Sequence, residues 1–233
     1  MSAAAPYITL ISSLPRHDVL FAEQQTPLSR IKLNQRLTML SEHHRQQLTL
    51  VEQVLHWDTW PAAMPHAQVV QRIRAHLQQI EAADVRELIH EKLDLRTVIG
   101  ALRYRLRQTQ QASSQPPSGD WAVSRYRDVI VRHWHEEDFH LSQAFPWLLE
   151  ALALMRQQQT LQLEQLIMRQ AWQTLNRHMP EDEFSFMAVV QYVMKWHLIE
   201  RWNRRDGAVA QQRFTQLIRS ALKTVGSTAH EHE

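Results

Sequence analysis

The chain has 233 residues, a formal net charge of +2 and no cysteine. The missing cysteines exclude disulfides, thiolate nucleophiles and cysteine-based zinc sites, and so small a net charge gives no ground for nucleic-acid binding. With only 4 Gly and 9 Pro the chain lacks the regular turns of a β-sandwich or barrel. It also contains no Gly-rich phosphate loop, and its abundant Leu, Gln, Arg and Ala favour helix.

Near the N-terminus, Pro6 and Pro15 bracket YITLISSL, a β-branched run that reads as a short strand or an extended segment docked on the core. Thr26-Pro27 reads as an N-cap followed by proline at the first helical position. Leu28, Ile31, Leu37, Leu40, Leu48, Val51 and Leu55 then trace one helix to about Trp57. Trp60-Pro61 and Met64-Pro65 break the chain, and a second helix runs through Val69, Ile73, Leu77 and Ile80. Asp84 with Glu87 reads as a capping box for a third, whose apolar face carries Leu88, Leu95, Val98, Ile99, Leu102 and Leu106.

The stretch 108–119, QTQQASSQPPSG, has the composition of a linker. It divides the chain into a helical subdomain over 1–107 and a second over 120–233. After it, Trp121 to about Phe139 reads as helix, and Ser142 and Thr160 read as caps of two more. His178-Met179-Pro180 ends the last of these. Met187, Val190, Met194, Leu198 and Trp202 form the stripe of a long amphipathic helix, followed by Asp206-Gly207 and a further helical pattern over 208–225. The expected fold is therefore all-α and multi-helical. No basic-then-apolar leader and no run of 18 apolar residues is present, which reads as a soluble chain.

Three groups of residues invite a functional reading. HWHEEDFH, drawn as a helix, places His133, Glu137 and His140 on one face, and Glu137-x-x-His140 matches half of a di-iron element. A second such element is missing, since His197-x-x-Glu200 has the reversed order. No metal or other cofactor is therefore expected to be held tightly. Arg96, Arg103, Arg105 and Arg107 form a basic cluster toward the end of the third helix, and Lys195, Arg201, Arg204 and Arg205 a second on the terminal helix. The bias of 22 Arg over 4 Lys suits carboxylate recognition at protein interfaces. Most of the eight tryptophans read as core or inter-helix wedges. Neither serine context nor carboxylate pairing resembles a hydrolase site, so the chain reads as a non-enzyme.

YITLISSLP, DLRTVIGALRYR and AVVQYVMKWHLIERWNRRDG together resemble a bacterial family that accompanies V-type ATPase operons. There it stands in the place of the C subunit, whose eukaryotic counterpart is called d. The resemblance implies a helical, funnel-like adaptor between the central shaft and the proteolipid ring. Its partners would be the shaft and ring proteins, and it would be cytoplasmic, peripheral on the inner membrane through the complex. The chain is shorter than a full C subunit, and only two candidate helical units, 84–107 and 183–225, stand where that protein has three. An unrelated helical scaffold is the alternative, and a metal-binding helical-bundle enzyme the third reading. On the first, the arginines of the terminal helix lie toward solvent or a partner, so that reversing Arg201, Arg204 and Arg205 leaves folding nearly intact.

Overall fold

A computed structural model describes residues 7–17, 20–21, 28–56, 63–109 and 115–205. The fold is all-α, with no strand among the described residues. Among the described residues eight helices follow in order: α1 Ile8–Ser13, α2 Arg30–Leu37, α3 Glu42–Leu55, α4 His66–Gln79, α5 Ala83–Thr109, α6 Arg127–Arg132, α7 Leu148–Arg156 and α8 Thr160–Arg177. A ninth, α9, is described over 186–205. Thr26-Pro27 and the expected helix over 208–225 lie outside the described residues, as do 110–114 of the expected linker.

Several expectations are corrected. YITLISSL is helical over Ile8–Ser13, where an internal ladder satisfies its backbone groups. The single helix expected up to Trp57 is two. Ser41 adopts extended backbone and its hydroxyl accepts from the His44 N–H at 3.2 Å, starting α3 afresh. No reciprocal capping box forms at Asp84. Its carboxylate accepts from the Val85 N–H at 2.8 Å, and Glu87 pairs instead with Arg125 at 2.6 Å. Thr160 is the first residue of α8 rather than its cap, and α7 begins only at Leu148, after Pro146. Ser142 donates to Asp138 instead of capping a helix.

The helix expected from Trp121 to Phe139 shrinks to α6. Trp134 and Phe139 are 1% and 0% exposed, in one core, with rings stacked at 5.5 Å. The chain leaves the helix after Arg132 and brings both rings into that core from a turn. Arg105 completes the turn. Buried on α5, it donates to the carbonyls of Trp134 at 3.0 Å, Glu137 at 2.7 Å and Glu136.

Two apolar cores result. The first gathers α1–α4, the N-terminal half of α5 (Val85, Leu88, Ile89, Leu93), the C-terminal half of α8 (Met168, Trp172, Leu175) and α9. The second joins the C-terminal half of α5 (Val98, Ile99, Leu102) to α6, α7 and the N-terminal half of α8 (Leu163, Leu166). The cores do not follow the division at 108–119: α5 itself runs through Thr109, and α8 and α9 complete the first core. Met187, Val190, Met194 and Leu198 of α9 are buried as expected.

Polar side chains fasten these elements. Gln47 donates to the Gln79 carbonyl at 3.0 Å and accepts from the Glu81 N–H at 2.9 Å, fixing the α4–α5 turn on α3. The Trp196 indole donates to the Leu28 carbonyl at 2.8 Å. Asp94, 1% exposed at the middle of α5, accepts from Ser124 Oγ at 2.7 Å, the Arg125 N–H at 2.9 Å and Arg125 Nε at 2.7 Å. This carboxylate docks segment 121–126 on α5. Asp94→Ala should destabilise the protein by about 2 kcal/mol, since it removes the buried acceptor of three hydrogen bonds. Glu87→Ala, which removes the exposed partner of the same arginine, should cost less than about 1 kcal/mol. Urea unfolding checks both, and equal losses would contradict this ranking.

Candidate functional site

Between α3, α4, α5, α8 and α9 lies an open cleft of about 1620 Å³. Its floor is apolar, with Val70, Ile73, Leu93, Ile99, Met168 and Met194. Its walls are cationic. Lys92, Arg96 and Arg103 line it from α5, where spacings of four and seven residues put them on one helix face. Arg201, Arg204 and Arg205 line it from α9.

The carboxylates of the cleft are already engaged. Glu164 on α8 accepts from Arg201 Nε at 3.3 Å and also pairs with Arg205. Glu200 takes Arg204 at 2.7 Å. Glu52 on α3 accepts a forked bond from Arg30, at 2.7 and 3.0 Å, and lies 2.8 Å from His197 Nε2. Burial alone would raise the Glu52 carboxyl, but hydrogen bonds from His197 and Arg30, and then their charge, hold it down at about 2. Arg201, Arg204 and Arg205 thus have carboxylate neighbours that the sequence reading did not assign. A glutamate at 201 or 205 would face Glu164, and one at 204 would face Glu200.

Lys92 and Arg103 differ from these. Neither side chain has an ion pair or hydrogen bond with a described residue. Burial, with the charges of Arg96 and Arg201 nearby, lowers the Lys92 ammonium to about 8. Burial, with Arg201 and Arg107, also lowers the Arg103 guanidinium. Cations gathered in a partly desolvated cleft repel one another, and an incoming anion relieves that repulsion.

Five of the eight basic positions singled out in the sequence therefore converge: Arg96, Arg103, Arg201, Arg204 and Arg205. Arg96 also donates to the Leu55 carbonyl at 2.9 Å. The other three lie elsewhere. Arg105 is turned inward to the 134–137 carbonyls, Arg107 is exposed beyond the cleft, and Lys195 sits 5.2 Å over the Trp172 ring. Sequence reading missed Lys92, although its position one turn before Arg96 is a legible signal. It also missed the Arg30–Glu52–His197 cluster, which joins three helices and leaves no local pattern.

The second candidate group is rearranged by the 133–140 turn. His133 Nδ1 lies 2.7 Å from Glu136 Oε1, and His140 Nδ1 lies 3.6 Å from Glu136 Oε2. Glu137 points away and pairs with Arg156 at 2.7 Å. The expected trio of His133, Glu137 and His140 is thus replaced by His133, Glu136 and His140.

The fold and cleft define a helical protein with a cationic, apolar-floored groove. No helix among the described residues is long and apolar enough to cross a membrane. Residues 67–224 match the family described as "Protein of unknown function (DUF2764)", and the chain belongs to that family. Comparison with curated proteins and with solved structures finds no match. The matched stretch takes in α5, α8 and α9, and so most of the cationic wall.

Glu52, with its carboxyl held below the unfolded value of about 4.3, contributes stability that is complete above that value and is lost as pH falls toward about 2. The contribution is at most about 3 kcal/mol. The stability gap between the wild type and Glu52→Gln should accordingly narrow as urea unfolding is repeated from pH 6 down to pH 2.5. A gap that stays constant would contradict the network. Lys92 has the opposite sense: its lowered pKa penalises the folded state while the lysine is charged. Lys92→Met should stabilise the protein by about 1–2 kcal/mol at pH 7. That advantage should fade as pH rises from about 8 through the unfolded lysine value of about 10.4. Loss of stability in Lys92→Met at pH 7 would show that the ammonium has a favourable partner.

Proposed function

We propose that this chain is a non-catalytic helical adaptor that couples the central shaft of a V-type ATPase to its proteolipid ring, in the manner of the C subunit. It would receive an acidic partner surface in the α5–α9 cleft. On this reading the protein is cytoplasmic and peripheral at the inner membrane, held there by the complex.

One observation carries the reading. Arg96 and Arg103, from one segment that resembles the C subunit, meet Arg201, Arg204 and Arg205, from another, across a single groove. Within that groove Lys92 and Arg103 have no described counter-charge. An adaptor needs stiffness and broad contact rather than reacting groups. The long α5 and α8, each packed in both cores, supply the stiffness. The cationic groove supplies a surface complementary to carboxylates, which steers association and rejects basic partners.

The test uses affinity-tagged full-length protein recovered from native membranes, with co-purifying proteins identified by mass. The wild type should bring down V-type ATPase components. Arg103→Glu combined with Lys92→Met should lose them by more than ~10-fold, because a like charge across an interface costs several kcal/mol. Circular dichroism should show the double variant folded, since neither residue has a described partner to lose. Recovery of the wild type without ATPase components would sink the V-type ATPase assignment. Full recovery by the folded double variant would remove the cleft from the interface.

A further inference from the structure

The turn at 133–140 does more than end α6. The geometry points to a mononuclear zinc-class site formed by His133, Glu136 and His140, independent of the cationic cleft and of the adaptor reading. The ligand atoms of these three residues all lie within 4.8 Å of one another. Both imidazoles direct Nδ1 at the same carboxylate, at 2.7 and 3.6 Å, and their rings stack at 5.0 Å. Zinc takes imidazole nitrogen and carboxylate oxygen at about 2.0–2.2 Å, which sets ligand atoms about 3.4 Å apart in a tetrahedron. Side-chain rotation at Glu136 and His140, both exposed, would bring the trio to that spacing, with the fourth position open to water.

The turn that carries the trio is held firmly. Phe139 and His140 have φ of 51° and 59°, left-handed backbone that costs energy in residues other than glycine. Packing sustains it. Phe139 is buried against Trp134, with the Arg105 guanidinium 4.3 Å over its ring. Arg105 also donates to the carbonyls of Trp134, Glu136 and Glu137. Asp138 accepts from the His140 N–H at 3.0 Å and from Ser142 Oγ. The backbone that presents the ligands is therefore already ordered, and metal binding need only turn side chains. The expectation of no tightly held metal rested on a helix and on a dinuclear centre. The turn selects Glu136 instead of Glu137, and a single ion needs no second ExxH element.

Cobalt(II) titration of the full chain tests this, since four-coordinate cobalt gives strong visible d–d absorption. One equivalent should bind with such bands, and zinc should displace it. His133→Ala, His140→Ala and Glu136→Gln should each weaken binding by ~10-fold or more, the scale on which lost site residues act. Glu137→Gln, whose side chain serves Arg156, should bind as the wild type does. So should a His230→Ala/His232→Ala variant, which controls for the tail histidines. Far-UV circular dichroism confirms folding in each case. Absence of four-coordinate bands in the wild type would overturn the site. Undiminished binding by folded His133→Ala or His140→Ala, or loss on Glu137→Gln in place of Glu136→Gln, would overturn it equally.

Discussion

The carboxylate of Asp94 occupies the point where the two cores meet. It lies between the α5 residues of the first core, ending at Leu93, and those of the second, beginning at Val98. A buried carboxylate is costly unless hydrogen-bonded, and here Ser124 and Arg125 meet it with backbone and side chain together. That requirement fixes where the chain lands when it returns from the 110–119 stretch, and so where α6 and the second core are built. It also sets the polarity of α5. Residues two places away on a helix lie about 160° round the axis, so Lys92 and Arg96 face away from the satisfied charge and into the cleft.

The cleft inherits its character from that arrangement. On α9, the arginines are neutralised by Glu164 and Glu200, and the Glu164 pairs tie the helix to α8 and shape the wall. On α5, Lys92 and Arg103 face the same space with no described carboxylate. Lys92 is half-buried beside Arg96 and Arg201, while Arg103 is exposed. In the proposed role the apolar floor would add desolvated contact to charge complementarity. Two kinds of cation thus share one groove, those that brace its wall and those that face it without a described carboxylate.

Local patterns foretold much of this. The stripe of Met187, Val190, Met194 and Leu198 is buried, and the apolar face of α5 is the one that packs. Residues from both basic clusters named from spacing line a single cleft. What the sequence did not disclose depends on contacts between distant residues. Arg105 looks like a surface arginine until the 133–140 turn is seen to need its donors. That turn in turn converts a helical His133–Glu137–His140 face into a different trio. Ser41 splits one apolar period into two helices through a cap whose spacing the pattern does not mark. The division expected at 108–119 follows composition, whereas the cores follow α5 and α8, whose halves serve different clusters.

In the proposed role a partner covers the α5 wall of the cleft. Lysine footprinting tests it directly, because the chain has only four lysines, Lys32, Lys92, Lys195 and Lys223. An amine-reactive label applied near pH 7.5, with mass-spectrometric readout, measures Lys92 in the free protein and in the assembly recovered from membranes. Lys32, exposed on α2, serves as the internal reference for labelling. In the assembly Lys92 should be protected while Lys32 remains reactive. Equal labelling of Lys92 in both states would contradict the account.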